Sequence, residues 1–193
     1  MASQGWKEWK PEYNGALLET RPAEPYIETY TGEKFYFLNP TPDMIHIEDI
    51  AHALANQCRF TGHSSKFYSV AEHSIYVSKL CGNSIAGLLH DASEAYLTDV
   101  ASPVKPFLHN YKTLEDKLMK AIATKFNFPY PFVEEVHIAD KIQLLMEARH
   151  LIRSEGTDWA TYDPDLAYRG IQPKCLVPQL AEGYFLEQFK GIM

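Results

Sequence analysis

The chain has 193 residues, 46% of them hydrophobic and 13% aromatic, enough apolar surface for one folded domain and too much for a disordered segment. Its net charge is −7 and its lysines and arginines are scattered, which argues against an extended DNA or RNA partner but leaves room for a small phosphorylated molecule. Three cysteines (Cys58, Cys81, Cys175) without a CxxC spacing predict free thiols, and there is no apolar run of about 20 residues to span a membrane, so the expected location is the cytoplasm.

Residues 1–24 are polar and tryptophan-bearing, and predict an arm that packs on the body or on a neighbouring subunit. Tyr26 to Phe37 alternates around Thr31-Gly32 and predicts a β-hairpin with a two-residue turn. Asp43 is placed to cap the next helix, which carries Ile47, Ile50, Ala51 and Leu54 at helical spacing and ends near Cys58. A loop from Arg59 to Lys66 follows, with Arg59, His63 and Lys66 as potential cations; a solvated connector is an equal reading of it. A second helix starts near Ser69 with the apolar stripe Val70, Val77 and Leu80, and His73 sits on that stripe. Alone, such a histidine is read as a hydrogen-bonded core residue.

The stretch from Gly87 to Lys105 carries the densest chemistry. The apolar run Ile85 to Leu89 predicts that His90 and Asp91 enter on a buried helix, where Glu94 would share their face. The alternative is an N-terminal cap, with Asp91 or Ser93 opening a helix. Beyond Pro103 and Pro106, Thr113 to Asp116 reads as a capping box opening a helix with Leu114, Leu118, Ile122 and Phe126 on one side. After a break at 127–131, the longest helix is predicted over about 132–153. Its stripe is Val133, Val136, Leu144, Ala148 and Leu151, with Asp140 in the middle; a buried ion pair would be the ordinary account of that aspartate. The tail has an irregular stretch over 158–178 and a short terminal helix. One domain is expected, with an arm and hairpin over 1–42, a core over 43–155 and a tail over 156–193.

Three helices thus bring His73, the His90–Asp91 pair and Asp140 to faces that should be apolar. Two imidazoles and two carboxylates make a candidate site for a divalent transition metal with positions open to water and substrate. The ordinary accounts would all have to hold independently on three helices.

This order, H…HD…D, resembles the HD-domain phosphohydrolase superfamily. The resemblance rests on Ala71-Glu72-His73-Ser74, Leu89-His90-Asp91-Ala92-Ser93-Glu94, Asp99, Pro103, Lys105 and Ala139-Asp140-Lys141, and covers about residues 46–155. The set is similar to bacterial 5′-deoxynucleotidases and to small dATP triphosphohydrolases of phages that replace adenine with 2-aminoadenine. It departs from the former in the 17 residues separating His73 from His90, and in Phe60 where that family carries a tryptophan.

The resemblance implies an all-α fold, an HD-domain helical bundle with a small N-terminal hairpin. It also implies a metal (Zn, Co or Mn, with a second Mg at the substrate phosphates as an option) on His73, His90, Asp91 and Asp140. Glu94 would orient or deprotonate water and Asp99 would assist the leaving group. Arg59 and Lys105 would neutralise phosphate, Phe60 would stack on the base or press on the sugar, and His63 and Lys66 would serve outer phosphates. The expected reaction cleaves the 5′ O–P bond of a deoxynucleotide, with dATP giving deoxyadenosine and triphosphate. The alternatives are a 5′-deoxynucleotidase acting on dNMPs and a non-catalytic nucleotide sensor, which would have no need of Glu94. A cyclic-dinucleotide phosphodiesterase would require further His/Asp ligands than the sequence offers. The expected partners are a small-molecule deoxynucleotide and further copies of the chain in a homo-oligomer, with no nucleic acid polymer and no membrane; if phage-encoded, the protein would work in the host cytoplasm.

Overall fold

The computed structural model describes residues 25–193, so the expected arm over 1–24 lies outside the described residues. The fold is an all-α bundle with one small hairpin. Its axis is α2 (Val70–Leu80), in which every residue from 70 to 78 is buried. The predicted stripe was therefore too narrow: other helices surround α2, so its polar Glu72, His73, Ser74 and Ser78 are buried as fully as its valines. The Ser69 side chain caps it, accepting from the Glu72 amide at 3.1 Å.

Packed around α2 are α1 (Ile47–Asn56), α3 (Ile85–Leu88), α6 (Glu134–Leu151) and α7 (Pro178–Ile192). On α1 the predicted Ile50, Ala51 and Leu54 are buried against α2 and α7. Asp43 does not cap this helix. It lies inside a 3-10 turn, Pro42–Met44, and His46 occupies the cap position. The hairpin pairs β1 (Ile27–Glu28) with β2 (Lys34–Phe35), Ile27 opposite Phe35. Its loop has three residues instead of two: Gly32 takes φ +85 and donates to Thr29 O, while the Thr29 amide donates to Glu33 O. Asp49 of α1 fastens the loop, accepting from the Thr31 amide at 2.7 Å and hydroxyl at 3.0 Å.

The expected continuous helix through His90 and Glu94 is broken. After α3 the chain passes through successive turns, in which Ala92 N donates to Leu89 O and Glu94 N to Asp91 O, before α4 (Glu94–Leu97) begins. Gly87 explains how closely α3 approaches α2, because a Cβ there would collide with Cys81 Sγ and lie 2.9 Å from Ser78 Cα. That close approach sets His90 beside His73.

α5 (Tyr111–Phe126) starts after Asn110, two residues ahead of the predicted capping box, and buries Leu118, Ile122 and Phe126. α6 is acidic in its first turn and basic in its last, as the helix dipole favours. It buries Val136, Ala148 and Leu151 as expected, but Val133 is exposed and Leu144 only half-buried. The tail is part of the body. Gln143 of α6 makes two 3.0 Å bonds with the Ile171 backbone, and the terminal helix α7, 15 residues long, buries Ala181 and Phe185 against α1 and α2. Glu72 accepts from the amides of Lys174, Cys175 and Leu176 at 2.7–3.1 Å. Among the described residues no helix is long and apolar enough to cross a membrane.

Candidate metal centre

His73 on α2, His90 and Asp91 after α3, and Asp140 on α6 converge. His73 Nε2 lies 3.2 Å from His90 Nε2 and 3.1 Å from Asp140 Oδ1, and His90 Nε2 lies 3.2 Å from Asp91 Oδ2. Two further separations, His90 to Asp140 and His73 to Asp91, are 3.8 and 3.7 Å. Bonds of about 2.0–2.2 Å from one ion to tetrahedral donors require donors about 3.3–3.6 Å apart, which the separations of 3.1, 3.2 and 3.8 Å among His73, His90 and Asp140 bracket.

The outer nitrogens settle what the inner ones offer. His73 Nδ1 lies 2.7 Å from Glu147 Oε1, and His90 Nδ1 lies 2.8 Å from Gly87 O, both acceptors. Each Nδ1 therefore carries the proton, and in the neutral rings each Nε2 presents a lone pair to the other. Two lone pairs facing at 3.2 Å beside two carboxylates repel unless a proton or a metal ion lies between them. Asp91, Asp140 and Glu147 against the single Arg59 guanidinium leave two negative charges, which a divalent ion balances. A proton on His73 is the competing cation, which a metal would have to displace. Burial and Arg59 both oppose charge on His73, yet Glu147 and Asp140 push its pKa up to about 9. Burial likewise opposes charge on Asp91 and Asp140, but the histidines hold both carboxyls below the usual range. His73, His90 and Asp140 form a group able to hold a metal ion, with Asp91 Oδ2 alongside and shared with Arg59 Nη1 at 3.4 Å.

Glu147 was not anticipated from the sequence. Fully buried, it accepts from His73, from the Tyr68 hydroxyl at 2.8 Å and from Arg59 Nε at 3.0 Å. The available signal was its place two turns after Asp140, on the same side of α6.

The other expected site residues divide into two groups. Glu94 is buried, with Oε1 3.5 Å from Lys105 Nζ and Oε2 without a hydrogen-bond partner; burial, then Asp91 and Asp99, push its pKa well up. Asp99 is half-buried and raised by burial, with Arg59 opposing and Asp91 adding to the shift. Lys105 is already engaged, 2.9 Å from Glu115 as well as near Glu94. Arg59 is similarly held by Glu147 and Asp91, so it braces the cluster. Phe60 takes φ +56 and lies 6.3 Å from the Trp159 ring, packed on the core. His63 and Lys66 are exposed, and neither side chain makes an ion pair or hydrogen bond among the described residues.

The cluster opens into a cavity of about 340 Å³. His90, Asp91 and Asp140 form one end, and α5, α6 and the segment between them form the rest. Phe60, His63 and Lys66 are not part of its lining, whose aromatic wall comes from Tyr130, Phe132 and His137. Glu94 is not among its lining residues; it lines a second cavity, under the hairpin.

No protein-family model matches the chain. It is 38% identical over 169 residues to the uncharacterized protein YfdR of Escherichia coli, covering 86% of this chain and 95% of that one. It is also 36% identical over 137 residues to an uncharacterized protein of Rhodobacter capsulatus, covering 63% of this chain and 70% of the relative. The extent of the first match shows that the chain belongs to the family of YfdR.

Proposed function

We propose that the protein is a metal-dependent phosphohydrolase of the HD type that cleaves the 5′ O–P bond of a nucleotide. The observation that carries this reading is the pair of Nε2 atoms facing each other at 3.2 Å, both Nδ1 engaged outward, beside a cavity that His90, Asp91 and Asp140 line. When bound there, a divalent cation such as Zn, Co or Mn polarises a phosphoryl oxygen and activates a water.

The chain's own groups supply the rest. His73, His90, Asp91 and Asp140 would hold the cation, while Glu147 and Gly87 O fix the imidazole orientations. From the family resemblance, Glu94, with one buried oxygen unpartnered and a raised pKa, is assigned as proton acceptor for the attacking water and Asp99 as proton donor to the departing 5′ oxygen; neither lines the cavity, so both would act through water at the cluster. Arg59 and His90 both hold Asp91 at its Oδ2.

The number of phosphates is a separate matter. A triphosphate would need Arg59, His63 and Lys66 as a cationic group, but Arg59 is engaged by Glu147 and Asp91, and the other two are exposed and not among the cavity lining. A single phosphate fits these surroundings better, which favours a nucleoside 5′-monophosphate; the 2′-deoxy preference rests on the family resemblance. The test is metal analysis of the purified protein followed by product analysis with dAMP, AMP, dATP and dGTP. Deoxyadenosine and orthophosphate from dAMP are expected. Release of triphosphate from dATP at a higher rate would restore the triphosphohydrolase reading, and metal binding without phosphate release from any of them would leave a sensor.

A further inference from the structure

The cavity beside the cluster is only partly explained by metal binding. Its far wall is the segment after α5, where Phe132 is the hub of an aromatic group: its ring is 5.2 Å from Tyr130, edge-on, and 6.2 Å from the exposed His137. Met119 and Val136 are buried at its floor. At the rim stands Lys112, which makes no ion pair among the described residues, unlike Arg59 and Lys105. Asp116 completes the lining. Its Oδ1 accepts from the Tyr130 hydroxyl at 2.7 Å, which leaves Oδ2 open.

Given the phosphohydrolase reading, on which this rests, we infer that this cavity seats the nucleoside of the substrate, with the base against Phe132 and His137 and a base amino group donating to Asp116. The volume of about 340 Å³ lies in the range of small-ligand pockets and suits one nucleoside with its phosphate at the cluster. A flat π-system against aromatic rings is the ordinary way a base is held without sequence readout. The carboxylate adds selection. Adenine and cytosine present an exocyclic amino group that an acceptor-only oxygen can take. Thymine's ring N–H lies between two carbonyl oxygens, and these would face the carboxylate unfavourably. Lys112 meets the phosphate from the rim.

The experiment measures kcat and KM for dAMP, dCMP and dTMP with metal-loaded wild type, Phe132→Ala, His137→Ala and Asp116→Asn, with a thermal melt of each. Wild type is expected to show a lower KM for dAMP and dCMP than for dTMP. Loss of either ring raises KM for all three by about 5- to 100-fold, the effect of one stacked base, with kcat little changed. Asp116→Asn removes the preference over dTMP. His137 is exposed, so its variant tests the seat even if Phe132→Ala unfolds. An unchanged KM in His137→Ala, or a base preference that Asp116→Asn does not alter, overturns the inference while the hydrolase reading stands. If wild type releases no phosphate from any nucleotide, that reading falls; equilibrium dialysis then decides the seat, which stands if His137→Ala abolishes dAMP binding and falls if wild type binds none.

Discussion

Replacing Glu147 by alanine removes one carboxylate that serves three buried partners. The Arg59 guanidinium, 12% exposed, would keep only Asp91, at 3.4 Å, as a counter-charge. Tyr68, whose pKa burial and Glu147 raise well above the ordinary phenol, would lose its acceptor, as would His73 Nδ1. Removing one partner of a buried ion pair costs about 3–5 kcal/mol, and each orphaned donor about 1–3 kcal/mol, though terms within one network do not add fully. Taking about 4 kcal/mol as the outcome, and about 2–4 °C per kcal/mol for a domain of this size, Tm should fall by about 8–16 °C. The shape-conserving Glu147→Gln separates charge from packing. Its oxygen can still accept from His73 and Tyr68, but its amide would point a donor at Arg59 Nε. With the imidazole less firmly oriented and less basic, metal affinity should fall about 10- to 100-fold. Melts with and without chelator, and metal competition against a chromogenic chelator, measure both effects. A Glu147→Ala melt within about 2 °C of wild type, the range of a neutral surface change, would refute the account, and so would wild-type metal affinity in Glu147→Gln.

Three further outcomes test the site and its scaffold. Asp140→Ala or His90→Ala should each lose the metal, because the remaining donors are too few to hold it tightly; full occupancy in Asp140→Ala would remove that residue from the ligand set. Glu94→Gln should retain metal and fold but lose turnover by roughly 10²–10⁴-fold, as expected for loss of a proton acceptor, and near-normal kcat would assign that role elsewhere. Glu72→Gln should release the tail from α2, read as lost hydrogen-exchange protection at the amides of Lys174, Cys175 and Leu176; unchanged protection there would mean that neighbouring packing alone holds the segment.

The four candidate ligands could be read from the chain because each breaks a local rule. His73 and Asp140 interrupt apolar stripes, and His90–Asp91 follows a run with no polar face, so each residue needs a partner from another helix. The all-α class and the small hairpin were legible on the same grounds, from period-3.6 patterns over most of the length and alternation only near Thr31-Gly32. Glu147 escaped because a glutamate on a long helix is ordinarily solvated, and only the packing of α6 on α2 shows that it meets His73 and Arg59. The break before Glu94 was legible only as the alternative reading, with Ser93 opening a helix; Ser93 does occupy the N-cap position of α4, though its side chain makes no capping bond. The same limit applies to Arg59 and Lys105: sequence shows a cation but not the carboxylate that faces it. Residue type and spacing determined which side chains could not sit alone in a core. Which charges neutralise one another, and on which side the cluster opens, are distances between segments far apart in the chain, and only the tertiary packing decided them.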